Sequence, residues 1–394
     1  MTRLARSGAA FLLAVLLTVL VTAPATADEL LAPGVTYQSF SLTTAHGPVT
    51  GYLLKIDLRE PGVRLDLLHP GSVSERQTVS AMATAQHAIA GVNGDFFDIS
   101  ETHAGVPPTG SSVGPEIAGG ADLKYAVPDG QRFGPAMAAG DSTRDVFGMG
   151  ADHRVRLATL ALTGTARTAE GTFGIEGLNQ YALPVNGIGL YNHDWGTTSR
   201  ARAVCGTDTN RSAPCTTDTE EVVVRHGVVV SESAGPGSGD IPQDTTALLG
   251  REAGADALRA LVPGDHVVVT TKLTDGTAPP FEFAIGGFRI LSGGRQLSGL
   301  DAVTLAPRTG AGVSADGRSV YLLTLDGRGG STGASVAELA DLLRSFGAQD
   351  AVNLDGGGSS TVAVSEGGSP VTVKNTPSDG TERPVANGIG VFVR

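Results

Sequence analysis

The stretch that decides the fold covers residues 335–359 and reads SVAELADLLRSFGAQDAVNLDGGGS. Ser335 is a natural N-cap, and Glu338 stands three residues later, as in a capping box. Apolar residues at helical spacing then predict one buried helix face: Val336, Leu339, Leu342, Leu343 and Phe346. Gly347 ends the helix, and the apolar run after it indicates a buried strand. We therefore expect the helix to lie across a sheet whose strand ends at Asp355.

Three glycines, Gly356, Gly357 and Gly358, follow that strand directly. Without side chains, backbone N–H groups can converge on an anion, and Asp355 and Ser359 add a carboxylate and a hydroxyl. A tight or flexible turn is the alternative explanation for the same residues. The motif differs from the usual nucleotide-binding loop because no lysine follows it and the next element is a strand.

Short β-branched runs bracketed by turn residues dominate the rest of the chain. Eight runs predict strands: 49–58, 63–68, 221–230, 266–273, 319–325, 350–354, 360–364 and 388–393. Three stretches predict helices: 77–87, 246–261 and 335–346. The 55 glycines indicate many turns, and the 41% hydrophobic fraction permits a sizeable core. We expect an α+β fold, with a single domain over 28–394 and β-rich mixed sheets carrying a few packed helices.

Residues 1–27 have the pattern of a secretory signal peptide. Arg3 and Arg6 precede the apolar run 9–21, and an Ala-Thr-Ala sequence at 25–27 supplies a small-residue cleavage site. A membrane anchor is the alternative, but the run is shorter than the roughly 20 apolar residues that a span needs. We therefore expect an exported protein with no membrane segment after signal cleavage.

The chain is acidic, with a formal net charge of −12, and loss of the two signal arginines would take it to −14. An acidic surface repels polyanions at long range, and no strongly basic stripe offsets it. The sequence therefore argues against a nucleic-acid partner, and any anionic substrate must be bound locally.

Cys205 and Cys215 are the two cysteines of the chain. In an exported protein such a pair normally oxidises, so we predict one disulfide between them. A metal site is the alternative, although no pair of histidines lies near them, and a catalytic cysteine is less favoured. Polar and glycine-rich residues surround the pair, so segment 195–245 is expected to be a variable excursion of the domain and not a linker.

Three other segments place polar or charged side chains beside glycines at expected strand ends. They are Asn93-Gly94-Asp95-Phe96-Phe97-Asp98, Arg308-Thr309-Gly310-Ala311-Gly312 and Asp326-Gly327-Arg328. An arginine guanidinium suits phosphate oxygens, and a strand-end aspartate projects rigidly. Taken singly, each segment is also explained by a turn, by core packing or by a surface ion pair.

Other catalytic machinery is not found in the sequence. It contains no His-Glu-x-x-His or Cys-x-x-Cys motif, and its eight histidines are scattered. His103 and His193 each lie near carboxylates, so a divalent metal stays an alternative. No cofactor is otherwise implied.

Five motifs occur together in an order that resembles the phosphodiester glycosidase family. They are Asn93-Gly94-x-Phe96-Phe97, Ala284-Ile285-Gly286-Gly287, Arg308-Thr309-x-x-Gly312, Asp326-Gly327-Arg328 and Asn353-Leu354-Asp355-Gly356-Gly357-Gly358-Ser359. The resemblance is dense from Ala284 onward, where Glu382-Arg383-Pro384-Val385-x-Asn387 also fits, and looser before. Asp95 departs from it, because many relatives have glycine there, and segment 205–244 does not fit. The resemblance implies hydrolysis of the anomeric C–O bond of a sugar-1-phosphodiester of the N-acetylglucosamine-1-phosphate type.

That reaction expels a phosphate monoester, so such a site must bind an anion. Arg308, Arg383 and the amides of 356–358 are the expected phosphate ligands. A carboxylate must act at carbon, as a nucleophile or as a base, and the candidates are Asp355 and Asp326. Asp355 is preferred because the surrounding helix and strand form a rigid platform. Substrate contacts are expected from the remaining motif residues: Asn93, Asp95, Asn353, Gly356, Gly357, Gly358, Ser359, Arg328, Glu382 and Arg383.

The expected partner of this secreted enzyme is a glycan or cell-wall polymer that contains glycosyl phosphate. One alternative is a metal-dependent phosphodiesterase that attacks phosphorus, with Asp95, Asp98, Asp326 and Asp355 as metal ligands. Another alternative is a non-catalytic envelope protein that binds a glycan in the same cleft.

Overall fold

The structure of the protein, a computed structural model, describes residues 28–169 and 171–394. The predicted signal peptide, residues 1–27, lies outside the described residues. No helix within the described ranges is long and apolar enough to cross a membrane.

Strands account for most of the regular structure of the described residues. In chain order the strands are β1 (Glu29–Ala32), β2 (Val35–Thr44), β3 (Gly47–Asp57), β4 (Arg64–Leu68), β5 (Ala90–Asn93), β6 (Glu116–Ala118), β7 (Ala121–Lys124), β8 (Asp145–Gly150), β9 (Val155–Thr159), β10 (Ala161–Arg167), β11 (Thr172–Gly174), β12 (Gly177–Leu178), β13 (Ile188–Tyr191), β14 (Thr219–Arg225), β15 (Val228–Ser233), β16 (Thr245–Arg251), β17 (Val268–Thr274), β18 (Phe281–Gly286), β19 (Phe288–Ser292), β20 (Arg295–Gln296), β21 (Arg308–Val313), β22 (Ser319–Leu325), β23 (Asp350–Asn353), β24 (Val362–Val364), β25 (Thr372–Val373) and β26 (Gly388–Phe392). The α-helices are α1 (Val79–Gln86), α2 (Ala253–Leu258) and α3 (Val336–Phe346). The predicted β-rich α+β class is confirmed.

An antiparallel sheet of eight strands forms the centre of the molecule, in the order β1-β2-β3-β22-β21-β23-β19-β20. Arg308 of β21 pairs with Leu325 of β22, and Gly310 of β21 pairs with Asn353 of β23. The start of β21 therefore lies beside the ends of β22 and β23. The candidate site residues come from this end of the sheet.

A second sheet, β25-β24-β5-β26-β4, packs face to face on the central sheet. Their shared core includes Leu54, Val352 and Ile389, each with no exposed surface. Leu53 faces the other side of β3 and packs in the cluster that contains α3, as the alternation of side chains along a strand requires. Helix α1 covers the outer face of the second sheet through Val79. The layers therefore run α1, second sheet, central sheet, α3.

Three further sheets extend this sandwich. The sheet β7-β6-β18-β8-β9 contributes Phe147 and Phe283 to the same central core. The sheets β11-β10-β17 and β12-β13-β16-β14-β15 share a separate core with α2, which includes Leu190, Val222 and Leu258. The predicted mixed character of the sheets comes from the pair β12 and β13, which is parallel.

Helix α3 confirms the prediction made for residues 335–346. The Ser335 hydroxyl accepts a hydrogen bond from the Glu338 N–H at 3.2 Å, and the Glu338 carboxylate accepts one from the Ser335 N–H at 2.9 Å. Gly347 ends the helix with φ +114°, a conformation that favours glycine. The next strand, β23, then leads to Asp355, as expected. The helix predicted over 77–87 is also present as α1.

The helix predicted over 246–261 is wrong in its first half, which forms strand β16. Strand β16 hydrogen-bonds to β13 on one side and β14 on the other, and these tertiary contacts outweigh the helical spacing of its apolar residues. Helix α2 occupies only Ala253–Leu258. The single strand predicted over 221–230 is a hairpin, because His226 and Gly227 form a turn with positive φ between β14 and β15.

The predicted disulfide between Cys205 and Cys215 is present. The segment 195–245, expected as an excursion, is partly built into the fold. Its residues 219–225 form β14, which pairs along its whole length with β16 inside the five-stranded sheet. The part around the disulfide, from 205 to 218, contains no strand among the described residues.

Candidate active site

Asn93 holds the two sheets of the sandwich together at the site. Its side-chain N–H donates to the Asp355 carbonyl at 2.7 Å, and its Oδ1 accepts from the Thr309 hydroxyl at 2.7 Å and from the Thr361 N–H at 3.0 Å. Asn93 has no exposed surface. It therefore fixes the glycine turn that follows Asp355 and is not placed to touch a substrate, contrary to the expectation for it.

The Asp355 backbone is fixed from the second sheet as well, since its N–H donates to the Gly94 carbonyl at 2.8 Å. Its carboxylate accepts from the Gly356 N–H at 2.9 Å and from the Ser359 hydroxyl. Burial raises the pKa of Asp355 to about 6, while Ser359, the Gly356 N–H and the Arg383 charge lower it in part. A carboxyl group with this pKa can change its protonation state near neutral pH.

The glycine turn is less open to an anion than its three amides suggest. The Gly356 N–H is taken by the Asp355 carboxylate, and the Gly357 N–H donates to the Pro307 carbonyl at 2.9 Å. The N–H of Gly358 has no acceptor among the described residues. The predicted convergence of three amides is therefore wrong, and only the N–H of buried Gly358 is left without an acceptor among the described residues.

Arg383 lies against this turn. Its Nη1 is 3.4 Å from the Ser359 hydroxyl, and its Nε and Nη2 bind Asp379 at 2.8 and 2.7 Å. A Cβ added to Gly358 would overlap the Arg383 guanidinium. Glycine is therefore required at 358 for Arg383 to approach. The guanidinium side chain is 28% exposed, so it remains accessible from solvent.

Glu382 positions Arg383 and does not face the cleft. Its carboxylate accepts from the Ser80 N–H at 2.9 Å and from the Ser80 hydroxyl, in the first turn of α1. A carboxylate at this place binds the free N–H groups of a helix N-terminus. The substrate contact expected from Glu382 is therefore replaced by an anchor between α1 and the loop that carries Arg383.

A cleft of about 610 Å³ opens on one side of Arg383. Its lining residues are Ser74, Arg76, Ile99, Pro108, Thr109, Gly110, Thr198, Arg383 and Pro384. The volume lies within the range of small-molecule sites, about 300–1,000 Å³. Arg383 thus contacts the glycine turn and also lines the cleft.

Asp326 is buried, with 3% of its surface exposed, at the end of β22. It accepts from the Tyr52 hydroxyl at 3.1 Å and from the Thr376 N–H at 3.0 Å. Burial raises its pKa, and these hydrogen bonds lower it in part. Asn375 connects it to the site, because its side-chain N–H groups reach Asp326 at 3.5 Å and the Ser360 carbonyl at 2.9 Å.

Arg308 is not placed as a phosphate ligand. Its Nε donates to the Ala334 carbonyl at 2.9 Å and its Nη2 donates to the Thr304 carbonyl at 2.7 Å, and the residue is 7% exposed. Its guanidinium therefore holds the loop before β21 against the start of α3. Arg328 is exposed in the turn after β22, with no side-chain hydrogen bond among the described residues.

Asn353 and Asp95 are both buried. Asn353 is 1% exposed, and its Oδ1 has no hydrogen-bond partner among the described residues. Asp95 accepts from the Phe96 N–H at 2.8 Å and the Gly114 N–H at 2.6 Å, and burial raises its pKa. The charge of buried Lys124 acts on Asp95, which is 1% exposed, so Asp95 belongs to a buried polar cluster and is not placed to touch a substrate.

The four aspartates of the metal alternative do not gather around one point. Within residues 28–169 and 171–394, one group of three or more His, Cys, Asp and Glu side chains has its donor atoms within 4.8 Å of one another. It consists of His103, Cys205 and Cys215, and the two sulfurs are joined as a disulfide. Neither this group nor the four aspartates give the metal alternative any support.

Two residues of the site were missed by the motif analysis: Asn375, which links Asp326 to Ser360, and Arg76, which lines the cleft. Each stands in an ordinary loop sequence, without a glycine pattern to mark it. Their positions follow from contacts between segments far apart in the chain, and a single sequence carries no signal for such contacts.

The fold and site define a class of layered β-sandwich proteins with an acidic residue and a glycine turn at the end of a central strand. Residues 218–392 match the model of the family described as phosphodiester glycosidase. The resemblance drawn from the motifs is confirmed over this part of the chain. The matched part contains Asp355, the glycine turn and Arg383, and it excludes Asn93 and Arg76.

Solved structures share the fold. A hypothetical protein from Synechocystis aligns with a TM-score of 0.72 at 22% identity over 94% of this chain, which spans 64% of the length of that protein. A protein of Burkholderia pseudomallei, described as a candidate exported protein, aligns with a TM-score of 0.66 at 26% identity, covering 87% of this chain and 74% of that one. The catalytic domain of zebrafish N-acetylglucosamine-1-phosphodiester alpha-N-acetylglucosaminidase, auto-inhibited by its pro-peptide, aligns over 95% of this chain and 88% of that domain at 15% identity. Its TM-score of 0.47 is too low to support an argument. No curated protein sequence matches the chain significantly.

Proposed function

We propose that this protein is an exported glycosidase that hydrolyses the anomeric C–O bond of a sugar-1-phosphodiester. The reaction would release a free sugar and a phosphate monoester. The observation that carries the proposal is the group at the end of β23, where Asp355 lies beside Ser359 and Arg383, and Arg383 also lines a cleft. The family match over residues 218–392 covers this group and supports the same reaction.

On the phosphate side, Arg383 is the principal ligand. Its planar guanidinium suits phosphate oxygens, and the Gly358 N–H adds a donor next to it. The Asp379 carboxylate binds Nε and Nη2 of Arg383 and so holds the guanidinium in place. Fixed donors of this kind stabilise the negative charge that develops on the departing phosphate.

On the sugar side, Asp355 is the residue that acts at the anomeric carbon, as a nucleophile or as the base that activates water. Both roles need the ionised carboxylate, and a pKa of about 6 leaves it mostly ionised at neutral pH. Asp326 is held by Tyr52 and Thr376, so we assign it a positioning role through Asn375.

The expected substrate is a glycan or cell-wall polymer that contains glycosyl phosphate, with N-acetylglucosamine as the sugar. Export is supported by the signal pattern at the N-terminus, by the disulfide and by the similarity to a candidate exported protein of Burkholderia pseudomallei. The choice of N-acetylglucosamine as the sugar rests on the family resemblance.

Turnover of the methyl ester of N-acetylglucosamine-1-phosphate by the purified mature chain tests the proposal. Asp355→Asn should lower kcat by about 10³-fold, within the range for loss of a catalytic carboxylate. The matched control is Asp350→Asn at the opposite end of β23, where Oδ1 binds the Gly293 N–H at 2.9 Å, and this variant should keep its activity. Full activity of Asp355→Asn, or complete loss of wild-type activity in a chelator, would contradict the proposal.

A further inference from the structure

The cleft beside Arg383 has an unusual charge for this chain. The protein carries a net charge of −12, yet two of the nine residues that line the cleft are arginines and none is an aspartate or glutamate. Positive charge concentrated in a concave site of an acidic protein attracts and holds anions locally. The cleft is therefore suited to an anionic part of a ligand.

The two arginines differ in their partners. Arg383 is paired with Asp379, so its charge is partly neutralised. Arg76 is paired with no carboxylate and makes no side-chain hydrogen bond in the part of the chain that the structure describes. Its guanidinium carbon lies 5.8 Å from the centre of the Phe97 ring, and a Cβ added to Gly110 would lie 3.0 Å from its Cγ. Arg76 is thus an exposed side chain that lies beside Phe97 and Gly110, and its N–H donors stay available.

The hydroxyl groups of the lining donate to acceptors of the protein itself. Ser74 donates to the Trp195 carbonyl, Thr109 to the Asp98 carboxylate at 2.9 Å, and Thr198 to the Ser74 carbonyl at 3.4 Å. Among the described polar side chains that line the cleft, Arg76 is therefore the one whose donors are all available for a ligand.

The wall of the cleft is fixed in place. Thr109 and Gly110 belong to the loop that follows Ile99, and within this loop Glu101 forms an ion pair with buried Arg202. His103 in the same loop lies 2.8 Å from the carbonyl of Ala213, inside the loop closed by the disulfide. The cleft is therefore preformed, which lowers the entropic cost of binding.

We propose that Arg76 forms a second anion subsite, which binds a second phosphate on the leaving-group side of the substrate. This inference rests on the proposed function, which places the scissile phosphate at Arg383 and the sugar at Asp355. The part of the substrate beyond the scissile phosphate then occupies the cleft and reaches Arg76. A polymer with repeating phosphodiesters has such a second anion, and the Arg76 subsite makes it a better substrate than an ester with one phosphate.

Kinetics on two esters of N-acetylglucosamine-1-phosphate test the subsite, one with methanol and one with glycerol 3-phosphate as the alcohol. Arg76→Ala should raise KM for the glycerol 3-phosphate ester by about tenfold, with kcat unchanged. KM for the methyl ester should stay within about twofold of the wild-type value. Arg76→Lys should retain part of the preference, because a point charge remains. The matched control is Arg295→Ala, at an exposed arginine of β20 with no ion pair in the described ranges. This variant should change KM for neither ester.

An equal rise in KM for both esters would assign Arg76 a structural role, and an unchanged KM for both would mean that Arg76 forms no subsite. Either result overturns the inference.

A binding experiment distinguishes failure of the Arg76 subsite from failure of the proposed function. Calorimetry with glycerol 1,3-bisphosphate and glycerol 3-phosphate needs no turnover. Tighter binding of the bisphosphate by the wild type, lost in Arg76→Ala, supports the subsite even if no sugar ester is hydrolysed. Equal binding by the two proteins contradicts it.

Discussion

Asp355 lies next to Ser359 and Arg383, and its protonation should control the rate. Burial raises its pKa to about 6. Because the proposed roles need the ionised form, kcat/KM should rise about tenfold per pH unit below 6 and level off above it. A pH profile of the methyl ester reaction measures this. Arg383 lowers the pKa of Asp355, so Arg383→Ala should move the midpoint of the pH profile to higher pH. A rate that falls as pH rises through 6 would show that Asp355 acts as an acid.

The same pKa predicts an effect on stability. The folded-state pKa of Asp355, about 6, lies above the ordinary value of 3.8, so the folded chain binds this proton more tightly than the unfolded chain does. Its contribution to stability is present below pH 4 and is lost as pH rises through 6. Asp355→Asn should therefore be more stable than the wild type at pH 7 by roughly 1–3 kcal/mol, with little difference at pH 4. Urea unfolding of both proteins at the two pH values measures the difference, and a less stable variant at pH 7 would contradict it.

Gly358 decides whether Arg383 can reach the turn. Gly358→Ala should displace the guanidinium and lower kcat/KM by at least about tenfold, since a charge-assisted contact to the phosphate is lost. Gly357→Ala is the matched control in the same turn. Its Cβ would meet no atom within 4 Å, and its φ of +60° costs about 1 kcal/mol of backbone strain. Similar kinetics for the two variants would contradict the role given to Arg383.

At the scale of elements, α1 and the loop before β26 are connected by Glu382. Glu382→Ala should cost about 1 kcal/mol of stability, as other helix-capping contacts do, and should also raise KM because Arg383 loses its anchor. Ser335→Ala removes the cap of α3 at a similar cost in stability. It leaves the Arg383 loop intact and should keep its KM. Thermal unfolding and kinetics on both variants test this, and an unchanged KM for Glu382→Ala would contradict the anchor.

The elements that the sequence predicts correctly are those with a local cause. The capping box of Ser335 and Glu338 and the stop at Gly347 are local, and α3 follows them. The run 246–261 is misassigned because hydrogen bonds to β13 and β14, which come from distant parts of the chain, determine β16. The same limit applies at the site. Asp355 and the glycine turn are visible in the sequence. The hydrogen bonds that Arg308 donates to the carbonyls of Ala334 and Thr304 are visible only in the fold.

At the scale of the whole molecule, the site lies where strand ends of two packed sheets meet. The central sheet brings the ends of β22 and β23 to the start of β21, and the second sheet adds Asn93 and the residues before β24 and β26. Buried hydrogen bonds from Asn93 join both sheets at this point. The rigidity of the sandwich thus fixes Asp355, while the loops that carry Arg76 and Arg383 form the mouth of the cleft.

The most direct test of the central claim is hydrolysis of the methyl ester of N-acetylglucosamine-1-phosphate in oxygen-18 water, with the products read by mass spectrometry. Attack at the anomeric carbon places the label in the free sugar, and this is the result that the proposed glycosidase predicts. Label in the phosphate would mean attack at phosphorus, and it would contradict the account in favour of a phosphodiesterase.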